Sequence, residues 1–279
     1  MWRRHLLIAP VVLFLIVLLI VPYVNMVRMS FLVKPPGERY LNVFTLDNYA
    51  RVLRDGFYWR ILANTVWYAV LTTALTLLLG YPLAYAIARA PNRRRPLLLM
   101  LLIAPLLVGV VIRAYGWLIL LGRVGLVNQL LRYAGRQPVE LMYNVTGMTI
   151  GLVHVFMPFM ALSIAGALQN ISPDVERAAR SLGASPWKTF WRVTWPLSLP
   201  GVFAGMLLVF VLAVSSYVIP ILLGGNNVLV IPMLVVQLLL DAFNWPVGSA
   251  LAMVFFGLTA VVLWGYVKLM NRALRWSLR

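Results

Sequence analysis

Apolar residues in this chain fall into long uninterrupted runs that are separated by shorter polar segments. A helix needs about 20 apolar residues to cross the roughly 30 Å hydrocarbon core of a bilayer. The runs predict an all-α, polytopic membrane protein with six transmembrane helices in a single domain of residues 1–279. The predicted spans are residues 6–24, 61–88, 97–121, 147–168, 197–222 and 247–270.

Two apolar runs need separate treatment. The run at 6–24 lacks the small-residue cleavage site of a signal peptide. It is also longer than the apolar region of a signal peptide, so we interpret it as a retained span. The run at 228–240 would reach only about 20 Å as a helix. A seventh span would also move the basic C-terminal segment to the other side. We therefore predict an interfacial or re-entrant helix at 228–240.

Composition and charge agree with a membrane protein. Hydrophobic residues make up 62% of the chain and charged residues 11%, whereas a soluble domain carries about 25% charged residues. The net charge of +17 does not indicate nucleic-acid binding, because the basic residues are divided among separate loops. Given the predicted spans, Lys and Arg are more concentrated in the segments on one side of the membrane, above all in the tight turn that contains Arg93, Arg94 and Arg95. Both termini are therefore predicted to be cytoplasmic.

The sequence offers no catalytic constellation. It has no cysteine and no Gly-x-x-x-x-Gly-Lys phosphate loop. His5 and His154 are far apart with no carboxylate nearby, so no metal site is predicted, and His154 is interpreted as a core residue hydrogen-bonded to a neighbouring helix. None of the acidic residues falls within a predicted span, whereas ion-coupled transporters keep ionisable groups there. This argues against an enzyme and against a secondary transporter, the main alternative class.

Apart from Lys268 near the end of the last predicted span, Arg113 is the one charged residue within a predicted apolar span. An intramembrane charge is a candidate for function. Alternatively, its side chain extends to the outer interface, where Tyr115 and Trp117 would form part of an aromatic belt. Both interpretations stay open from the sequence.

The segment 169–196 is polar and has clear helix signals. Ser172 is a good N-cap followed by Pro173, and Gly183 is placed to end that helix. A second short helix is predicted from Ser185. The segment is therefore expected to be a helix–turn–helix at the cytoplasmic face. Large aromatic residues follow, which either lie at the lipid interface or are covered by a partner protein. They are Trp187, Phe190, Trp191 and Trp195.

The spacing within 169–196 resembles the cytoplasmic loop of the permease subunits of binding-protein-dependent ABC importers. That motif reads Glu-Ala-Ala, three residues, Gly, nine residues, Ile, one residue, Leu-Pro. Arg177 stands in the place of the motif's Glu, and Glu176 lies one residue earlier, so a contact through a carboxylate at 177 is not expected. The matching positions are Ala178, Ala179, Gly183 and Pro196, with Val193 and Trp195 in the places of Ile and Leu.

Further segments resemble the spermidine/putrescine branch of this family. They are residues 112–117, 125–128, 224–227 and 244–246. The resemblance implies the type I importer permease fold and a small solute, with a polyamine such as spermidine or putrescine favoured. Amine-like compounds, phosphonates and oxyanions are the alternative solutes.

The resemblance also implies a set of partners. The permease pairs with a second permease subunit, usually as a heterodimer, in a bacterial inner membrane. Two cytoplasmic ATPase subunits bind ATP and Mg, so this chain needs no cofactor of its own. A periplasmic or extracellular binding protein delivers the solute.

Two groups of site residues follow. The resemblance makes 169–196 the ATPase-coupling loop, with Glu176, Arg177, Ala178, Ala179, Leu182, Gly183 and Pro196 as its coupling residues. Polar and aromatic groups in or near the third and fifth spans are candidates for the solute pathway, or alternatively serve packing and the aromatic belt. They are Arg113, Tyr115, Trp117, Ser215, Ser216 and Tyr217.

Overall fold

The computed structural model describes residues 2–35 and 40–277. Arg39 and Arg279, which entered the comparison of basic residues on the two sides, lie outside these ranges. Within the described residues, six helices are long and apolar enough to cross a membrane, as predicted. They are Leu13–Ser30, Gly56–Arg89, Val110–Tyr133, Val145–Gln169, Pro186–Val214 and Trp245–Arg272.

One compact unit comprises the chain up to Leu62 together with residues 231–260. A short antiparallel hairpin follows the first helix, and Asn48 donates hydrogen bonds from its amide to the carbonyls of Ser30 and Leu32. The sequence did not predict this hairpin. The elements are α1 (Trp2–Ser30), β1 (Leu32–Val33), β2 (Leu41–Phe44), α2 (Asp47–Arg54), the start of α3 (Gly56–Arg89), and the segments near 231–260 described below.

The other unit comprises residues 63–230 and the chain from Val261 onward. Its most buried span is α7, in which more than half of the residues of the most apolar stretch are buried within the protein. After α3, the elements are α4 (Arg95–Ile103), α5 (Val110–Leu121), α6 (Leu126–Tyr133), α7 (Val145–Gln169), α8 (Pro173–Ser181), α9 (Pro186–Thr189) and α10 (Trp195–Val214). After α11 (Ile231–Val236), the last helix, α12 (Trp245–Ser277), begins in the first unit and ends in this one.

Glycines allow α10 to pack closely on α7. A Cβ atom on Gly201 would overlap the Cβ of Ala167, and one on Gly205 would lie 2.8 Å from the sulfur of Met160. Both approaches are closer than two unbonded heavy atoms allow. The two glycines are four residues apart on one face of α10, which is the small-residue spacing that brings membrane helices together.

The third predicted span needs a correction, because residues 97–121 do not form one helix. α4 continues as a 3₁₀ turn over Ala104–Leu107 and stops, and α5 begins only at Val110. Pro105 in the 3₁₀ turn lacks an N–H, and Val108 and Gly109 have extended backbone with ψ of 128° and 143°, so the helical hydrogen-bond pattern is interrupted here. The candidate span is instead Val110–Tyr133, and Arg95–Leu107 is a shorter apolar helix.

The fifth predicted span, 197–222, also needs corrected bounds. A π-helical turn at Phe190–Thr194 joins α9 to α10, so one candidate span runs over Pro186–Val214. Pro196 therefore lies inside this helix and not at its entry. The helix stops at Val214, where the Ser215 hydroxyl donates to the Val211 carbonyl at 2.7 Å, and residues 216–217 are not helical.

The run predicted at 228–240 contains a short helical segment. α11 continues as a π-helix over Gln237–Asp241. The preceding π-helix Pro220–Gly224 and 3₁₀ turn Gly225–Asn227 end before it. By length and composition the two halves form either a broken span or a re-entrant loop, so the re-entrant interpretation stays a prediction.

We expect Gly201→Ala to lower the free energy of unfolding by roughly 1–3 kcal/mol, because the added methyl group overpacks the contact with Ala167. The matched control is Gly166→Ala on α7, where a Cβ would meet no atom within 4 Å. It should be neutral or stabilising, since Ala favours a helix over Gly. Thermal unfolding in detergent would compare the two, and equal effects would contradict the packing account.

Candidate functional site

The polar loop folds at the positions that its sequence predicts. The Ser172 side chain accepts a hydrogen bond from the Asp174 N–H at 3.2 Å, and Pro173 is the first residue of α8. Gly183 follows the helix with a φ of +84°, a conformation that glycine adopts without strain. The Ala184 N–H then bonds to the Ala179 carbonyl, which satisfies the end of the helix. The predicted helix and its glycine turn are confirmed.

Glu176 points into the protein and not away from it. The residue is only 5% exposed. One carboxylate oxygen, Oε1, accepts from Arg89 Nη2 at 2.6 Å and from the Thr194 hydroxyl at 3.1 Å. The other oxygen accepts from the Tyr85 hydroxyl at 3.4 Å. Because a buried carboxylate is stable only when it is paired and hydrogen-bonded, these contacts explain why the charge is tolerated here.

Arg89 connects this carboxylate to a second helix end. Its Nη1 donates to the carbonyls of Leu168 and Ile171 at 3.3 and 3.2 Å. These carbonyls lie at the end of α7, where a helix leaves its last carbonyls without partners. The guanidinium group therefore joins the end of α3, the end of α7 and the first half of α8.

The opposite side of α8 is exposed. Val175 is 44% exposed and Leu182 is 89% exposed, and Ala178 lies between them on the same side. We call Val175 and Ala178, together with Leu182 at the C-cap of the helix, the outward face of α8. Arg177 is also exposed and pairs with Asp174 at 2.5 Å. An exposed apolar stripe with residues at i, i+3 and i+7 is the pattern by which a helix anchors in a groove of a partner.

Of the remaining predicted coupling residues, Ala179 is half-buried, Gly183 is exposed and Pro196 is half-buried within the long helix. The aromatic residues in the second half of the loop form one cluster, in which neighbouring rings lie 5.1–6.3 Å apart. Trp187 and Trp191 remain 70% and 46% exposed. Their contact with lipid or with a partner stays open.

The structure brings one predicted pathway residue to a cavity. Trp117 donates its indole N–H to His154 Nδ1 at 3.1 Å, which confirms that His154 bonds to a neighbouring helix. Both residues line a cavity of about 500 Å³, together with Thr149 and apolar side chains such as Leu75. The Thr149 hydroxyl is buried and has no hydrogen-bond partner among the described residues.

The other pathway candidates are not part of that cavity lining. Arg113 is half-buried, and its Nε and Nη1 have no hydrogen-bond partner among the described residues. Tyr115 and Ser215 are exposed, whereas Ser216 and Tyr217 are half-buried beyond the end of α10. The six candidates therefore do not converge on one site in this chain.

Sequence reasoning missed the partners of Glu176. In the sequence, nothing distinguishes Arg89 from the other basic residues near span ends, and nothing marks Thr194 or Tyr85. No sequence spacing links residues 87 positions apart. The one available indication was chemical: if the helix places the Glu176 carboxylate inside the protein, a cationic side chain has to lie nearby. Among the described residues, no group of His, Asp and Glu is placed to hold a metal ion.

Comparisons with known proteins agree with the resemblance. The model of the family described as "Binding-protein-dependent transport system inner membrane component" matches residues 62–276. The chain is 35% identical to the spermidine/putrescine transport system permease protein PotB of Escherichia coli K12, covering 92% of this chain and 95% of that protein. It is 34% identical to PotB of Salmonella typhi, covering 96% and 95%. It is 31% identical to the molybdenum transport system permease protein ModB of Mycobacterium tuberculosis, covering 71% and 74%.

Solved structures share the fold. A bacterial ABC transporter involved in the import of the acidic polysaccharide alginate matches with a TM-score of 0.78 and 18% identity, covering 97% of this chain and 96% of that chain. The bacterial alginate ABC transporter in complex with a periplasmic protein bound to an alginate pentasaccharide gives a TM-score of 0.76 at 17% identity, covering 98% and 95%. At this identity the likeness shows the fold alone, which is that of a type I importer permease.

These relatives are transport subunits, which agrees with the prediction of a permease and not an enzyme. The family match covers most of the chain, and the PotB relatives align over almost their whole length. The chain therefore belongs to the family of binding-protein-dependent transport system inner membrane components, the permease subunits of ABC importers.

Proposed function

We propose that this importer permease carries a polyamine, spermidine or putrescine. The observation that supports this solute is the identity of 34–35% to permeases named for spermidine and putrescine, along nearly the full chain. The match to the molybdenum permease is lower, at 31%, and covers 71% of the chain. An oxyanion is therefore the second candidate solute, and amine-like compounds and phosphonates are further alternatives.

The proposed complex lies in the bacterial inner membrane with both termini of this chain in the cytoplasm. Residues 1–279 act as one permease domain and pair with a second permease subunit, preferably as a heterodimer. Two cytoplasmic ATPase subunits bind ATP and Mg and supply the energy. The basic turn at Arg93, Arg94 and Arg95 supports this orientation.

A periplasmic binding protein delivers the solute to this complex. The alginate ABC transporter, which shares the fold, forms a complex with a periplasmic protein that is bound to an alginate pentasaccharide. That complex supports the same arrangement here, with a polyamine in the place of the sugar.

We propose that α8 is the coupling helix and that its outward face seats in a groove on the ATPase. The exposure of Val175 and Leu182 supports this, because isolated apolar side chains of a loop gain by burial against a partner. Closure of the ATPase pair would displace α8 together with the helices on either side of it. The attached spans would then rock as rigid bodies and open the pathway alternately to the two sides.

The cavity lined by Trp117 and His154 is the proposed part of the pathway in this chain. Its walls are apolar and aromatic, with a few hydroxyl and imidazole groups. Aromatic faces attract cations, so such walls would hold an ammonium group weakly during passage without trapping it. Arg113, Tyr115, Ser215, Ser216 and Tyr217 remain candidates on the basis of their positions in or near the third and fifth predicted spans.

The solute is tested by ATP-driven uptake into proteoliposomes that contain the full complex and its binding protein. We expect labelled spermidine or putrescine to accumulate and molybdate not to accumulate. Vesicles without ATP provide the control. Uptake of molybdate in place of either amine would show that the solute assignment is wrong while the importer assignment holds. Solute uptake that depends on neither ATP nor the binding protein would contradict the importer mechanism itself.

Leu182→Ala should weaken ATPase binding by about tenfold, equivalent to roughly 1.4 kcal/mol, because it removes the most exposed apolar anchor of the outward face. Val43→Ala is the matched control, since Val43 is 56% exposed on β2, in the segment between the first two spans that is predicted to be external. Titration of the ATPase onto the permease in nanodiscs measures both. Unchanged affinity for Leu182→Ala would place the docking contact elsewhere.

Trp117→Phe removes the indole N–H that bonds to His154 while keeping an aromatic ring. We expect uptake to fall by about two- to tenfold, since a hydrogen bond contributes roughly 0.5–1.5 kcal/mol. ATPase binding should not change. Trp67→Phe, at a position that is 60% exposed on α3, is the control and should transport normally. Equal uptake by both variants would show that the Trp117–His154 hydrogen bond plays no part in transport.

A further inference from the structure

The buried carboxylate of the coupling loop calls for a role different from docking. Glu176 lies beside the Ala178–Ala179 pair in sequence, yet it is 5% exposed and its contacts are all internal. We propose that Glu176 and Arg89 form an internal clamp that makes α8 move as one body with the adjoining ends of α3, α7 and the α9–α10 helix. Glu176 is thus a positioning residue for transport, and the ATPase contact belongs to the outward face. This inference rests on the proposed coupling function.

The clamp reaches four helices through two side chains. The Arg89 guanidinium donates from one nitrogen to Glu176 on α8 and from the other to the Leu168 and Ile171 carbonyls at the end of α7. Glu176 in turn accepts from Thr194, in the π-helical turn that leads into α10. Arg89 itself is the last residue of α3. Each of the four helices therefore contributes at least one partner to a continuous hydrogen-bond network.

The chemistry of this network favours a fixed geometry. Guanidinium is planar and presents its donors in a rigid fork, so the two directions that it bonds are fixed relative to each other. Both partners are largely removed from water, with side-chain exposures of 17% for Arg89 and 6% for Glu176. A charge in such a place is stable only while its partner stays, so the arrangement resists sliding. Arg180 approaches Glu176 only to 3.9 Å and is 52% exposed, so it contributes less.

Without the clamp, α8 would be held mainly by its flanking turns. Residues 170–172 connect it to α7, and residues 182–185 connect it to α9 through Gly183. The Gly183 backbone has a positive φ and no side chain to restrict it. A pull on the outward face could then rotate α8 about these turns and leave the spans in place. The Glu176–Arg89 pair opposes that rotation because it ties the inner side of α8 directly to three spans.

The test uses the full complex in proteoliposomes with variants Glu176→Met, Arg89→Met and the double variant. Each single variant should lower the solute carried per ATP hydrolysed by about tenfold, because it leaves the other charge buried and unpaired. The amount of ATPase bound should stay within about twofold of wild type, since binding belongs to the outward face. The double variant should recover thermal stability, because no unpaired charge remains, yet stay uncoupled by about tenfold and no more.

Arg180→Gln is the matched control on the same helix and should couple within about twofold of wild type. Three results would overturn the clamp. Loss of bound ATPase in Glu176→Met but not in Arg89→Met would make Glu176 a docking residue. A loss of about a hundredfold in the double variant would show independent roles, and full recovery of coupling would show that the pair serves stability alone.

If a single variant fails to fold, the coupling ratio of the double variant still separates the last two outcomes, and loss of the ATPase bound by the double variant would contradict the assignment of docking to the outward face. Failure of the proposed function looks different. In that case the wild-type complex itself would carry no solute in response to ATP, whatever residues occupy positions 89 and 176.

Discussion

Hydrocarbon offers the backbone no hydrogen-bond partners, so a chain that crosses it must satisfy its amides and carbonyls within helices. This constraint explains why the apolar parts of the chain form long helices. One interruption lies near Pro105, which has no backbone N–H to donate. Another lies at Ser215, whose hydroxyl donates to the Val211 carbonyl of the preceding helix. Where a helix end becomes buried, a side chain has to take over the free carbonyls. Arg89 does so for the end of α7, and the same guanidinium is thereby fixed as a partner for Glu176.

The polar loop therefore has two sides with different chemistry. Its inner side is ionic and hydrogen-bonded and is shared by several helices, whereas its outer side is apolar and exposed. Such a division would allow the proposed clamp and the proposed docking contact to occupy different sides of a helix of nine residues. Arg177 stands where the motif that this loop resembles has Glu, and it is exposed and pairs locally with Asp174. The carboxylate one residue earlier is turned by about 100° around the helix axis, and that rotation is enough to place it inside.

Much of the fold could be read from the sequence because its signals are local. Apolar run length gave the number of spans, and Ser172, Pro173 and Gly183 fixed the bounds of the loop helix. The errors also have local causes. The break in 97–121 and the end of the fifth span at Val214 depend on how single Pro, Gly and Ser residues compete with the helix, which run length alone ignores. The partners of Glu176 could not be found, because pairing Arg89 with it requires knowledge of which helix ends meet. Trp117 and His154 were each noticed, but their contact depends on the packing of α5 against α7.

The continuous helix Pro186–Val214 has a mechanical consequence. Its 29 residues correspond to a rod of about 43 Å at 1.5 Å per residue. The rod starts beside the loop helix, is held against α7 at Gly201 and Gly205, and ends at the Ser215 break. Close packing in its middle and the Glu176–Arg89 network at its start both tie the rod to α7, so the two helices would tilt together about the middle of the rod. A tilt of about 10° around it would move the two ends in opposite directions by roughly 4 Å each, given the rise per residue of an α-helix. A small displacement at the loop would thus reappear, reversed in direction, at the far end of the same helix.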